Sequence, residues 1–271
     1  MHLKLQHTTR YTYETPVRGV VQMLRLTPRP YDGLHVVRWR IDVDHDATLK
    51  PSEDSFGNVV HSFCAEGPLD ALTVTVEGEV LTEDTSGILH GTLERLPLGL
   101  YLRQTPLTTA DRTIADFARD AADGRDQLDA LHALMAALSD RMTFDVDVTH
   151  VHTTADEAFA DAKGVCQDFA HIFIAAARSL RFPARYVSGY MRQADGREHY
   201  EAGHGWAEVH VPGVGWIGFD PTNAICATDA YIRVAIGLDY LDASPVRGVR
   251  TGGAHETLDV SIQVQHGASQ Q

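Results

Sequence analysis

The 271-residue chain is short of positive charge, with 23 Lys and Arg against 37 Asp and Glu and a formal net charge of −14. A nucleic-acid-binding surface needs a basic patch, so this balance argues against such a partner. Long apolar runs are missing as well: no stretch approaches the roughly 18 residues of a membrane span. The first residues, Met1-His2-Leu3-Lys4-Leu5-Gln6-His7, lack the apolar centre of a signal peptide and alternate like a strand. Cysteine is scarce. Cys64, Cys166 and Cys226 lie far apart and are odd in number, which is no disulfide framework and fits a reducing compartment. A cytoplasmic location is the expectation. Cys-x-x-Cys pairs, a His-Glu-x-x-His helix and Gly-rich phosphate loops are all absent, so neither metal nor cofactor is expected. Zinc could be imagined at His150-Val151-His152, or at His199 with His204 and Cys166, but the spacings carry no site signature.

What is present is the composition of an ordinary globular protein, 44% hydrophobic and 22% charged, long enough for one large or two modest domains. Residues 1–85 are β text. Leu3 and Leu5, then 9–13, 20–26, the alternating Trp39, Ile41 and Val43, 58–64 and 72–76 predict short strands between turns, as in a β-sandwich domain. Nothing there has the residue types of a catalytic site, and Cys64 reads as core. Residues 86–106 read as a connection. Helices follow: one with Ile114, Phe117, Ala118 and Ala121 behind Thr109 or Asp111, one from near Asp126, and a short one capped at Thr154. Phe169, Ile172, Phe173, Ala176 and Leu180 mark a further helix with one buried face. Strands are predicted at 184–190, 204–211 and 216–220. The class is α+β, with residues 107–225 a helix bundle packed on an antiparallel sheet. Residues 226–271 form a C-terminal extension, with a strand at 231–236, a loop at 246–255 and a late strand at 258–264.

Three stretches carry chemistry. The first is Gly164-Val165-Cys166-Gln167-Asp168-Phe169-Ala170-His171, which puts Cys166 in the first turn of a helix. Unpaired N–H groups and the helix dipole favour a thiolate there. A lone cysteine is more often an inert small hydrophobe. The second and third stretches, His204-Gly205-Trp206-Ala207-Glu208-Val209 and Trp216-Ile217-Gly218-Phe219-Asp220-Pro221-Thr222, change that reading. Cysteine, histidine and aspartate in this order suggest a nucleophile, its base and the group that orients the base.

Register decides whether they meet. Pro212-Gly213-Val214-Gly215 predicts a turn, so the two strands should pair antiparallel. With Trp206 opposite Asp220 and His210 opposite Trp216, His204 and Asp220 become diagonal neighbours on one face. A one-residue slip would separate them. Pro221 biases Asp220 toward extended dihedrals, which holds its carboxylate at the strand's end. Cys166 would then attack a carbonyl carbon, His204 would act as base and acid, and Asp220 would fix the ring's tautomer. The backbone N–H of Cys166 is a candidate oxyanion donor. Plainer readings stand beside these: His204 as a hydrogen-bonded strand residue, and Asp220 as the cap of a turn. Gln167, Asp168, His171, Trp206 and Trp216 are the candidate cleft or support positions; the two tryptophans read equally well as core.

These three stretches, together with Pro183-Ala184-Arg185-Tyr186-Val187-Ser188-Gly189-Tyr190 and Gly215 to Asn223, resemble the bacterial transglutaminase-like superfamily, relatives of papain-type cysteine proteases. The resemblance covers about residues 110–225, and the first 85 or so are similar to the β-rich region that often precedes this core in bacteria. It implies a Cys166-His204-Asp220 triad, a papain-like α+β core and no cofactor. Gly205 departs from it, since the family commonly has alanine there. The implied activity is hydrolysis of peptide or protein amide bonds through a thioester acyl-enzyme. The alternatives are a protein-glutamine transglutaminase, in which an amine replaces water, and a peptide-binding module without turnover. Oligomeric state is left open.

Overall fold

The computed structural model describes residues 1–146, 150–192, 199–200 and 202–267, with His199 and Tyr200 described in their backbone alone. The chain begins with β1 (His2–Thr27), β2 (Leu34–Val43), β3 (Lys50–Glu53) and β4 (Val59–Thr82). Alternation drives them: Leu3 and Leu5 are buried while Lys4 and Gln6 between them are exposed. Then come β5 (Ile88–Leu89), two 3-10 turns (Leu98–Leu102 and Pro106–Thr108), α1 (Arg112–Ala122) and α2 (Gln127–Arg141). After β6 (Thr143–Phe144), α3 (Ala155–Asp161) and β7 (Lys163–Gly164) comes α4 (Cys166–Ser179). The strands β8 (Ala184–Met191), β9 (His199–Tyr200), β10 (His204–Val211), β11 (Gly215–Asp220), β12 (Ile225–Cys226) and β13 (Tyr231–Gly237) follow. The described chain closes with α5 (Tyr240–Ala243), β14 (Val246–Gly252) and β15 (Glu256–His266). No helix among the described residues is long and apolar enough to cross a membrane.

The N-terminal region is β-rich as the alternation implies, but its strands are fewer and longer than a sandwich of short ones. They form one hydrogen-bonded sheet in the order β2-β4-β1-β15-β9, with β3 beside β4 and β14 beside the second half of β1. Register shifts in β1 at Thr12/Val17, Val17/Gly19 and Leu24/Thr27 let the strand continue where the sequence pattern breaks. Pro16 falls in the first of these gaps, where its missing N–H costs no ladder bond. Trp39 sits opposite Gly78, and a Cβ there would lie 2.3 Å from the indole, so the glycine is what lets the ring cover the sheet. Cys64 is exposed rather than core, because its strand position points to the uncovered side.

The second sheet runs β12-β11-β10-β8-β13, with β5 on the edge of β11. Helix α4 packs on β10 and β8, and α1, α2 and α3 cover its other side. It is therefore buried all round from Gln167 to Arg178 and not along one face alone. A polar residue in such a helix must find partners. Arg178 does so by donating to the carbonyls of Tyr101, Ala184 and Leu238 and to the Thr108 hydroxyl, which pins the 98–108 connection to the core. Caps start the other helices as the sequence predicts: Asp111 on α1, Asp126 on α2, and a Thr154–Glu157 capping box on α3.

The C-terminal residues are shared between the sheets. Tyr231–Gly237 becomes the edge of the second sheet, while β14 and β15 flank β1 in the first. The glycine-rich stretch predicted as a loop at 246–255 is largely strand, since pairing with 17–24 supplies the ladder that local composition does not favour.

Candidate active site

The start of α4 is built around Asp168. Its Oδ2 accepts the Val165 N–H at 2.8 Å, tying down the residue that precedes Cys166. Gly164 makes room for this, because a Cβ there would lie 2.6 Å from that oxygen. The first intrahelical bonds run from the Asp168 and Phe169 N–H groups to the Val165 carbonyl, so the Cys166 N–H lies ahead of the ladder at the positive end of the helix. His171, one turn on, accepts the Tyr240 N–H at Nε2 (3.0 Å) and thereby fixes the start of α5. Burial, with Arg178 nearby, lowers its pKa to about 3, so it is a neutral support group. Gln167 donates to the Val151 carbonyl at 3.4 Å.

Strands β10 and β11 pair with Ala207 opposite Phe219 and His210 opposite Trp216. In that register the next position sets Trp206 against Asp220, and His204 reaches the carboxylate diagonally: Nε2 to Asp220 Oδ2 is 2.6 Å. Asp220 is fully buried. Both readings of Asp220 hold together. Its Oδ1 accepts the Thr222 N–H (3.0 Å) and the Asn223 N–H (3.4 Å), capping the turn after Pro221, while Oδ2 faces the ring. Oδ2 also accepts Asn223 Nδ2 and the Tyr231 hydroxyl, each at 2.7 Å. Burial works against the carboxylate's charge, but His204 and these donors outweigh it and hold its pKa below the usual range.

The His204 ring is more exposed than the carboxylate but is stacked on Trp206 with centroids 6.0 Å apart and flanked by Tyr231 at 5.9 Å. Burial opposes its charge, yet the Asp220 carboxylate, and then the Cys166 sulfur acting on the same ring, raise its pKa to about 10. At neutral pH the ring is thus an imidazolium donating Nε2–H to Asp220. Nδ1 is the nitrogen left for the sulfur. The arrangement can take a proton from a thiol, hold it beside the sulfur, and return it.

The remaining candidates separate. Trp206 is buried against the His204 ring and is a support. Trp216 lies at the other end of β11, under the Arg185 guanidinium at 3.8 Å and edge-on to Tyr101 at 5.0 Å, so it serves the sheet and not the histidine. Arg185 in turn pairs with the buried Glu208, which also binds Arg233. Three residues at the site carried no role in the sequence reading. Asn223 and Tyr231 converge on Asp220, and Tyr186 lies near Cys166 and fills the space beside Gly205. A Cβ at Gly205 would lie 2.1 Å from the Tyr186 hydroxyl, which is why glycine stands where alanine is usual. An Asp-Pro-Thr-Asn turn could have pointed to Asn223; no local pattern marks Tyr231. Among the described residues no three His, Cys, Asp or Glu groups form a metal-ligand cluster, and the His199 side chain lies outside them.

Comparisons with known proteins bear on the family and the fold. The profile of the bacterial transglutaminase-like N-terminal region matches residues 3–81, and that of the transglutaminase-like superfamily matches residues 115–221. An uncharacterised protein of Mycobacterium leprae is 30% identical, over 97% of this chain and 98% of its own length. One from Mycobacterium tuberculosis H37Rv is 30% identical, over 96% and 91%. A crystal structure from Cytophaga hutchinsonii, of a protein assigned provisionally as a cysteine protease, superposes with a TM-score of 0.76. That likeness covers 98% of each chain at 16% identity and so speaks for the fold.

Two outcomes follow from this geometry. Gly205→Ala should lower stability by about 1–3 kcal/mol through overpacking, and adding Tyr186→Phe should recover most of it; urea unfolding of the single and double variants measures both. The second concerns pH. The His204 ring stays protonated to about pH 10 when folded, against about 6.5 unfolded. Its contribution to stability is therefore complete below pH 6.5 and lost as pH rises toward 10. Thermal unfolding between pH 6 and 10 should show a smaller fall for His204→Gln than for the unaltered chain.

Proposed function

The chain belongs to the transglutaminase-like superfamily, and from that premise we propose that it is a cysteine-nucleophile amide hydrolase acting on peptide or protein substrates. The observation that carries this reading is the 2.6 Å bond from His204 Nε2 to the buried Asp220 carboxylate, which leaves Nδ1 to serve Cys166 at a helix start. With the Cys166 proton already held on Nδ1 of the imidazolium, the sulfur attacks the substrate carbonyl carbon. The oxyanion so formed is met by the Cys166 N–H. Collapse breaks the C–N bond, and the leaving amine takes the proton from Nδ1. A thioester remains. Water then loses a proton to Nδ1 and attacks the thioester carbonyl, releasing the acid; the expelled sulfur recovers the proton. Asp220 keeps the ring in one tautomer and stabilises the imidazolium throughout. Were an amine to reach the thioester first, the same steps would transfer the acyl group; product analysis with and without a primary amine tells the two apart.

The exposed Cys64 offers a stringent comparison for the nucleophile. At pH 6 an ordinary thiol is almost entirely protonated, so accessibility alone would favour Cys64. Iodoacetamide at pH 6 should instead label the half-buried Cys166 first, as followed by peptide mass mapping. Labelling of Cys64 ahead of Cys166 would contradict the reading. On a substrate that the chain turns over, Cys166→Ala should abolish turnover and Asp220→Asn should slow it by roughly 10²–10⁴-fold. Asp220→Ala should be slower still, because it also removes the turn cap and the carboxylate that the ring bonds.

A further inference from the structure

Tyr231 stands ten residues beyond the segment that matches the superfamily profile, at the start of β13, and reaches back to the candidate site. Its buried hydroxyl donates to Asp220 Oδ2 at 2.7 Å, and its ring packs edge-on against Trp206 and beside His204. Asn223 Nδ2 donates to that same oxygen at 2.7 Å, and His204 Nε2 at 2.6 Å. A carboxylate oxygen offers about two lone-pair sites. Three donors on it must share, and each weakens the hold of the others. Among the described residues, the other titratable groups facing this cluster are Cys166 from α4, which acts on His204, and Cys226 from β12, which acts on Tyr231. Burial and the nearby Asp220 carboxylate push the Tyr231 phenol far above its ordinary range, so it is a permanent donor.

Resting on the hydrolase reading above, we propose that Tyr231 and Asn223 are positioning residues that set the basicity of His204 by drawing off Asp220 Oδ2. Without them the carboxylate would give its full charge to the ring. His204 would then hold its proton more tightly and pass it less readily to a leaving amine. With them, the ring keeps its orientation and gives up part of the attraction. The C-terminal segment is thereby part of the site, though it lies outside the matched core.

The test reads His204 directly and needs no turnover. The full chain carrying Cys166→Ala, which removes the sulfur's influence on the ring, is titrated by NMR of its histidine side-chain nitrogens. Tyr231→Phe and, separately, Asn223→Ala should each raise the His204 midpoint by about 0.5–1 pH unit. A midpoint that stays put or falls in either folded variant overturns the proposal, even if thermal stability changes. Should Tyr231→Phe fail to fold, Asn223→Ala, whose side chain is exposed, decides on the same oxygen. An unshifted midpoint, with amide hydrolysis by the unaltered protein, refutes this inference alone. A shifted midpoint in a chain that forms no acyl-enzyme refutes the hydrolase reading and leaves this one standing.

Discussion

A carboxylate with no exposed surface, bonded to an imidazole at 2.6 Å, is the constraint that the second sheet is arranged to satisfy. A buried charge without partners would be costly or would neutralise itself. Asp220 avoids both through five donors: two backbone N–H groups of its own turn, Asn223 Nδ2, the Tyr231 hydroxyl and His204. Each donor imposes a structural demand. The turn needs Pro221 and Thr222, the histidine needs one register between β10 and β11, and Tyr231 needs β13 on the far side of β8. A slip of one residue would turn His204 to the opposite face and leave the carboxylate without it.

The other half of the site is held by α4. Its first turn is fixed by Asp168, the start of α5 is fixed to it by His171, and its last turn carries Arg178, whose guanidinium collects carbonyls from three segments. Polar groups buried in a helix are tolerable when they find partners, and these bonds tie α4 to its neighbours at both ends. The opposite face of the sheet repeats the device with Arg185, Glu208 and Arg233. Arg233 and Glu208 hold β13 against the strands that carry the histidine. Both sheets also depend on the C-terminal strands, so the N-terminal region and the core close on each other.

Much of this was readable from local patterns. Period-2 alternation with a Pro-Gly turn located the histidine and aspartate on one face, and helical spacing behind Gly164 located the cysteine. The caps at Asp111, Asp126 and Thr154 were legible because capping is local chemistry. What escaped was non-local. Tyr231 reaches Asp220 only because β13 joins the second sheet at its far edge. Arg185 and Glu208 look like solvent-facing residues in any window, since only the fold supplies their partners. Val246–Gly252 has loop composition and becomes a strand by pairing with β1, and Cys64 is exposed because its side of the first sheet is left uncovered.

The central claim is that Cys166 forms a covalent acyl intermediate. The most direct measurement is intact-mass spectrometry of the full chain, quenched in acid within seconds of mixing with a library of peptide amides and esters. The account predicts a mass increase equal to the acyl portion of a substrate, mapped to Cys166, lost on brief hydroxylamine treatment as a thioester is, and absent from Cys166→Ala. Amide cleavage with no adduct on any cysteine, and undiminished in Cys166→Ala, would contradict it.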